Sequence, residues 1–205
     1  MIDATKVVGT HDILMITFDT LRYDVAQKLW KEGKLPILEK ILPNNGWEKR
    51  HTTGSFTYAA HHAFFAGFFP TPVDNPKVSR LFATRFEGSE TAIETTFVFD
   101  YPTIVQGLHN EGYRTYCIGG VGFFNQQTPL SKVFPEMFDE AFWESKFGVT
   151  EPKSAYYQFE KAVSVLDKKD ENTFLFINLS AIHQPNYFYL EGAKEDSIAV
   201  SYTHL

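Results

Sequence analysis

Short, almost continuous apolar runs that alternate with segments of helical periodicity are the feature that most constrains the fold of this chain. The first run, Asp12–Phe18, ends in Asp19, and similar runs lie at Thr96–Phe99, Arg114–Ile118 and Thr173–Leu179. Runs this short that are apolar at successive positions are typical of strands buried on both faces of a parallel sheet. The pattern therefore predicts buried parallel strands.

Segments with apolar residues three and four positions apart separate these runs, as expected for amphipathic helices. The predicted helices are Val25–Glu32, Pro36–Ile41, Ala59–Phe68, Thr103–Glu111 and Ala155–Asp167. Because strand–helix–strand crossovers build layered structures, we expect an α/β fold with a doubly wound, mostly parallel sheet in which the strand beginning near Ile13 lies centrally. The stretch Thr71–Thr95 breaks the alternation with prolines and charges, and we expect it to be an excursion or lid.

Composition narrows the functional class. The length of 205 residues suits one domain, and a content of 43% hydrophobic and 21% charged residues excludes disordered, collagen-like and coiled-coil classes. The 25 Asp and Glu residues outnumber the 19 Lys and Arg residues, which gives a formal net charge of −6. The chain therefore lacks the basic field that nonspecific nucleic-acid binding requires, and any anion-binding site must be local.

The single cysteine and the N-terminal segment bear on the cellular location. Cys117 has no partner in the chain for a disulfide and cannot form a cysteine-based zinc cluster, which suits a reducing compartment. The segment Met1–Thr10 contains no long apolar run, so we expect neither a secretory signal nor a membrane span. These features predict a cytoplasmic protein without a membrane partner.

Asp19 is the first candidate functional residue, because ligands of open α/β sheets bind beyond the carboxyl ends of the strands. A carboxylate held rigidly at a strand end suits a hard divalent cation. The alternative is an aspartate that only stabilises a turn or caps a helix. The position of Asp19 alone favours the turn or capping interpretation.

A second candidate segment, Gly54–Pro70, runs from a polar loop into an apolar helix. Thr57 falls at the predicted helix start, where unpaired amides and the helix dipole stabilise an oxyanion. The alternative is that Thr57 only caps the helix, which is worth about 1 kcal/mol. His61 and His62 point in directions about 100° apart, so at most one of them is expected to face the site.

Four motifs in order resemble those of sulfatase-like hydrolases in the alkaline phosphatase superfamily. Ile16–Asp24 resembles the family's first metal-binding strand, which ends in Asp-Thr-Leu-Arg, and Thr57–Pro70 is similar in spacing to its nucleophile segment. Gly112–Gly119 resembles a Gly-Tyr-x-Thr strand, and Phe176–Pro185 resembles a later strand followed by His-x-Pro. The resemblance implies an alkaline phosphatase/sulfatase-like fold with a threonine nucleophile.

Carried over by position, the resemblance makes Asp19 a metal ligand and Thr57 a nucleophile that also binds the metal. It places His61 where the family has an arginine or histidine that contacts the anion, and His183 at the His-x-Pro histidine. The implied cofactor is a divalent metal ion, which could be Mg²⁺, Mn²⁺, Ca²⁺ or Zn²⁺. The implied activity is hydrolysis or transfer of a phosphate, phosphonate or sulfate ester, with a small anionic ester as substrate.

Departures from the family pattern shift the expected substrate. Ala59 and Ala60 replace the Pro-Ser pair of the nucleophile motif, and Gly119–Gly122 stands where sulfatases carry a sulfate-binding lysine. Thr57 also cannot become the formylglycine that true sulfatases share. Phosphoryl or phosphonyl chemistry is therefore expected over sulfate-ester hydrolysis. The alternative is an inactive sulfatase-like fold that binds an anionic ligand or a protein partner.

The family's remaining metal ligands come from strands after the His-x-Pro segment. No Asp-His pair follows His183, and Asp196 stands alone among polar residues. We therefore expect residues 1–199 to be the N-terminal portion of a longer catalytic domain with an incomplete metal site. The end, Val200–Leu205, resembles translated sequencing adaptor, and we do not expect it to belong to the fold.

Overall fold

The computed structural model describes residues 3–52, 54, 56–67, 82–83, 87, 97–98, 102–167, 171–189 and 191–196. In these residues the strands, in chain order, are β1 (Ile13–Phe18), β2 (Phe82–Ala83), β3 (Phe97–Val98), β4 (Arg114–Ile118), β5 (Glu140–Phe142) and β6 (Thr173–Leu179). The main sheet has four strands in the order β1-β6-β4-β5, and all its pairings are parallel. The predicted α/β fold with a parallel sheet is confirmed.

Helices alternate with these strands, as the periodicity predicts, and one short helix precedes β1. They are α1 (Ala4–Val7), α2 (Tyr23–Lys31), α3 (Thr57–Ala66), α4 (Ile104–Asn110), α5 (Pro129–Lys132) and α6 (Ser154–Leu166). Short 3₁₀ turns occur at Leu38–Lys40, Gly122–Phe124, Pro135–Met137, Ser145–Phe147 and Tyr187–Tyr189. The helix predicted over Pro36–Ile41 is wrong, because only the 3₁₀ turn forms there.

Strand β6 divides the core into two layers, because its alternate side chains point to opposite faces of the sheet. Phe174 and Phe176 join a cluster with Phe65 of α3 and Val105 of α4. On the other face, side chains of β6 pack in a second cluster that includes Ala162 of α6. All seven residues of β6 are buried, so helices cover both of its faces.

The central strand differs from the expectation for the strand that begins near Ile13. Within the described residues β1 pairs with β6 alone and lies at one end of the four-strand order. β6 and β4 occupy the middle, which agrees with the complete burial of β6 and the partial burial of β1. An apolar run thus indicated a strand correctly but did not indicate its place in the sheet.

Two sequence features fall partly or wholly outside the described residues. In the expected excursion Thr71–Thr95, the structure describes only Phe82–Ala83 and Glu87. The run Thr96–Phe99 contains β3, which pairs in parallel with β2 in a separate two-stranded sheet. The terminal segment Val200–Leu205 lies outside the described residues. Within the described part of the chain, no helix is long and apolar enough to cross a membrane.

Candidate functional site

Asp19 and Thr57 meet at the carboxyl end of β1. Asp19 follows β1 directly, is only 6% exposed, and donates its backbone N–H to the Leu179 carbonyl at the end of β6. The Thr57 hydroxyl donates to the Asp19 carboxylate, with its Oγ1 3.2 Å from both Oδ1 and Oδ2. Residues 38 positions apart therefore share a hydrogen bond, and one cation with ligand bonds of about 2.0–2.6 Å could contact both side chains.

The structure does not support the capping interpretation of Thr57. The N-cap residue of α3 is Phe56, which makes no side-chain capping bond, and Thr57 is the first residue of the helix proper. The first helical hydrogen bond runs from the Ala60 N–H to the Phe56 carbonyl, so the preceding amides have no acceptor within the helix. The Thr57 hydroxyl is directed to Asp19 instead of back to these amides.

The loop before α3 packs so closely on the helix that it needs a glycine. A Cβ on Gly54 would lie 2.5 Å from the Ala60 nitrogen and 2.6 Å from the Ala59 carbonyl carbon. A side chain there would push the loop away from the first turn of α3. Gly54 therefore helps to place Thr57 close to the sheet edge.

The turn after Asp19 has an unusual backbone. Thr20 has φ of +67°, in the left-handed region that a β-branched residue rarely adopts. Its hydroxyl donates to the Ile182 carbonyl over 3.0 Å, which ties this turn to the loop that carries His183. Strain of this kind persists where the surrounding structure imposes it, and it is often found at functional sites.

The sequence analysis missed Asn178 and Thr17, which lie beside Asp19. They are register partners on β6 and β1. Asn178 is fully buried, and its Nδ2 donates to Asp19 Oδ2 over 3.3 Å and to Thr17 Oγ1 over 3.2 Å. Its Oδ1 accepts the Val121 N–H over 3.0 Å. The available signal was a polar side chain next to the last residue of each of two largely apolar strands.

His61, the expected anion contact, lies in the core between α3 and the sheet. It is 4% exposed, its Nδ1 lies 2.7 Å from the Thr57 carbonyl oxygen, and its Nε2 lies 3.0 Å from Thr17 Oγ1. Phe124 and Phe176 pack edge-on against its ring. Both ring nitrogens therefore have protein partners, and His61 is not among the residues that line the cleft described below.

The surroundings of His61 favour its neutral form. Burial lowers the pKa of His61 below its usual value, although the hydrogen bond to the Thr57 carbonyl and the charge of Asp19 act in the opposite direction. Its neighbour His62 is also buried and stacks on Tyr58 with ring centroids 5.8 Å apart. Both histidines are therefore buried, and neither is among the residues that line the cleft described below.

A cleft of about 330 Å³ opens beside Thr57. Thr57 and His183 line it together with Val121, Gly122, Phe123, Thr128, Leu130, Ser131 and Val149. His183 Nδ1 lies 2.7 Å from the Gln184 carbonyl oxygen, which can only accept, so Nδ1 carries a proton. The structure thus brings Thr57 and His183 to one cleft. Asp19 is not a lining residue of the cleft but accepts a hydrogen bond from Thr57.

The glycine-rich segment after β4 forms one wall of this region. A Cβ on Gly119 would lie 2.3 Å from Phe124 Cβ, and a Cβ on Gly120 would lie 2.3 Å from the Asn178 carbonyl oxygen. Backbone approach this close requires glycine. This glycine-rich segment therefore packs against the end of β6, and Val121 and Gly122 line the cleft.

The oxygens of Asp19 and Thr57 are suitable ligands for a hard divalent cation. Both belong to side chains that already share a hydrogen bond, and the carboxylate is nearly buried. Among the residues that the structure describes, no group of three or more His, Cys, Asp or Glu could hold a metal ion. The donor chemistry fits a cation, while its coordination would need further ligands from substrate, water or other parts of the protein.

Comparison with known proteins does not assign this geometry to a family. No family model matches the chain, and neither a curated protein nor a solved structure shows a significant match.

Proposed function

We propose that this chain carries the nucleophile of a metal-dependent hydrolase or transferase that acts on a phosphate, phosphonate or sulfate ester, as in the sulfatase-like branch of the alkaline phosphatase superfamily. One observation carries the proposal. Thr57 stands at the start of α3 beside the cleft, and its hydroxyl donates to the buried Asp19 carboxylate. A hydroxyl with an adjacent base and a helix N-terminus is the arrangement that nucleophilic catalysis uses.

In this mechanism the Thr57 oxygen attacks the phosphorus and forms a new O–P bond, while its proton passes to the Asp19 carboxylate. Protonated His183 donates a proton from Nε2 to the leaving oxygen as its bond to phosphorus breaks. Water then attacks the phosphorus of the Thr57 ester: its hydroxyl stays on phosphorus and its proton returns to His183 Nε2. As the bond from phosphorus to the threonine oxygen breaks, Asp19 returns its proton to that oxygen and the phosphate or phosphonate is released. A divalent cation held by Asp19 and Thr57 would supply charge neutralisation and favour ionisation of the hydroxyl.

The cleft walls support an ester with a small apolar substituent. Val121, Phe123, Leu130 and Val149 supply apolar surface, and the described lining residues include no Lys, Arg, Asp or Glu. Among these side chains a polyanionic substrate would find one cationic partner, the protonated His183. The preferred substrates are therefore esters that carry little charge away from the reacting group.

The test is turnover of four chromogenic esters by the protein with Mg²⁺, Mn²⁺, Ca²⁺ or Zn²⁺. The esters are p-nitrophenyl phosphate, bis(p-nitrophenyl) phosphate, p-nitrophenyl phenylphosphonate and p-nitrophenyl sulfate. Thr57→Ala should lower kcat by about 10³-fold or more, and Thr57→Ser should keep part of it, since the hydroxyl survives. Tandem mass spectrometry of a quenched reaction should place the covalent adduct on Thr57.

A matched control removes a different hydroxyl of the same cleft. Thr128 lines the cleft, but among the described residues its Oγ1 forms hydrogen bonds only with Ser131 of α5. Thr128→Val should change KM more than kcat. Turnover by Thr57→Ala at the parent rate would refute the nucleophile assignment.

Ligand binding without turnover is the second candidate function. It is favoured by the absence, within the described residues, of a cluster of three or more metal-ligating side chains. Calorimetric binding of phenylphosphonate by a protein that cleaves none of the four esters under any of the metals would support it.

A further inference from the structure

A polar network surrounds Asp19, and three of its members, Thr17, His61 and Asn178, have no role in the proposed chemistry. Five side chains take part: Thr17, Asp19, Thr57, His61 and Asn178. The network runs from Thr57 through Asp19, Asn178, Thr17 and His61, and returns to Thr57 at its backbone carbonyl. It forms a closed ring that joins β1, β6 and α3.

The direction of every hydrogen bond in this ring follows from the chemistry of its members. The Thr57 carbonyl can only accept, so His61 Nδ1 carries the proton and Nε2 of the neutral ring accepts. The Thr17 hydroxyl therefore donates to Nε2. Its oxygen accepts one of the two amide protons of Asn178.

The second amide proton of Asn178 goes to Asp19. Because Asn178 Oδ1 accepts the Val121 N–H, the amide cannot flip without losing that bond and presenting oxygen to the carboxylate. Asn178 thus donates to Asp19 Oδ2, while Thr57 donates from the other side. Both donors together set the rotation of the carboxylate.

We propose that Asn178, with Thr17 and His61, is a positioning group that holds the Asp19 carboxylate turned toward the Thr57 hydroxyl and anchors the first turn of α3 to β1. The positioning role rests on the proposed function, whereas the hydrogen-bonded ring exists whether or not the protein is an enzyme. Residues that orient a metal-binding or reacting carboxylate in this way typically affect activity about 10–100-fold when altered. His61 on this account acts through Thr57 and does not contact the anion.

Thr17 offers the sharpest test, because two substitutions separate its hydroxyl from its shape. Thr17→Val keeps the branched shape and removes the hydroxyl, whereas Thr17→Ser keeps the hydroxyl and removes a methyl group. If Thr17 matters only for strand packing, Val should be the milder change, since β-branched residues suit strands. If the ring positions the site, Ser should be the milder change.

The first readout is ¹⁵N NMR of the His61 imidazole, which does not depend on turnover. We expect the Nδ1-protonated tautomer in the parent protein and in Thr17→Ser. In Thr17→Val the Nε2 signal should move toward that of a nitrogen without a hydrogen bond. An Nε2-protonated His61 in the parent, or an Nε2 signal unmoved in Thr17→Val, would overturn the ring.

The second readout is turnover of bis(p-nitrophenyl) phosphate with Mn²⁺. Thr17→Val and Asn178→Leu should each lower kcat by about 10–100-fold with little change in KM, and Thr17→Ser should retain most of kcat. The control is Thr115→Val, which removes the hydroxyl of a buried strand threonine that donates to Asp139 outside the ring. It should lower stability without lowering kcat.

The outcomes separate the two proposals. Should the parent protein cleave none of the esters, the proposed function fails, while the NMR readout still decides whether the ring exists. Should the parent cleave the ester, and Thr17→Val match it while Thr17→Ser loses more, the positioning role fails and the proposed function stands. The Thr17 pair also keeps the test valid if Asn178→Leu does not fold.

Discussion

Replacing Gly120 with alanine tests how closely the segment after β4 must approach the end of β6. The added Cβ would lie 2.3 Å from the Asn178 carbonyl oxygen and 2.9 Å from both the nitrogen and the Cβ of Ser180. Two of these three atoms belong to the backbone, so a side-chain rotation cannot relieve the overlap. Ordinary packing distances would require the segment to retreat by roughly 1 Å.

The cost has two parts. Overpacking at a buried position costs about 1–3 kcal/mol. Retreat of the segment also stretches the 3.0 Å bond from the Val121 N–H to Asn178 Oδ1, and losing a hydrogen bond costs about 1 kcal/mol more. We therefore expect Gly120→Ala to lower the free energy of unfolding by about 2–4 kcal/mol, and Tm by roughly 4–16 °C for a chain of this size.

The assay is urea unfolding followed by circular dichroism, with the midpoint and the m-value fitted separately. The control is Gly122→Ala, two residues away, where an added Cβ would meet nothing within 4 Å. That variant should stay within about 0.5 kcal/mol of the parent or be slightly stabilised, since alanine restricts the unfolded chain. The packing argument is refuted if Gly120→Ala is as stable as the parent, or if both variants lose stability equally.

Two further predictions concern titratable groups. Burial alone would raise the pKa of Asp139, but hydrogen bonds from the Thr115 backbone and hydroxyl and from His109 outweigh it and lower that pKa. The Asp139 carboxylate therefore stabilises the fold above its unfolded-state pKa of about 3.9. This stabilisation is lost as the pH falls through the lower folded-state pKa. Asp139→Asn should therefore cost about 1.5–3 kcal/mol at pH 7 in urea unfolding, and the difference from the parent should shrink below about pH 4; a constant difference down to pH 2 would contradict this. Burial raises the pKa of the Cys117 thiol, which is 1% exposed, so iodoacetamide at pH 8 should modify the native protein at least about 10³-fold more slowly than the protein in urea. Equal rates, measured by mass spectrometry, would show that β4 opens readily.

The elements that the sequence predicts best are those whose pattern is local. Strands β1, β4 and β6 occupy the apolar runs, and the longer helices lie within two residues of their predicted ends, because apolar periodicity is a property of neighbouring positions. The segment Pro36–Ile41 shows the limit of such patterns. Ile37 and Ile41 are mostly exposed there, so no buried surface stabilises a helix that short.

Strand β5 carries no apolar pattern that would have predicted it. Its three residues, Glu140–Phe142, are only partly buried and form a strand because their backbone pairs with β4 from Tyr116 to Ile118. Backbone pairing of this kind depends on the partner strand and not on the side chains of the segment.

Some features of the candidate site were likewise predictable from local sequence, and others were not. The sequence by itself determined that Asp19 follows a buried strand and that Thr57 opens a helix, and parallel strands bring such ends to one edge. Only the tertiary structure decided that β1 lies beside β6, in a register that pairs Thr17 with Asn178. The packing of α3 on the sheet then brings His61 within hydrogen-bond distance of Thr17. The reason is that these contacts join residues up to 161 positions apart. The order of the strands and the packing of the helices decide which polar groups meet in the core, and local periodicity does not encode either of them.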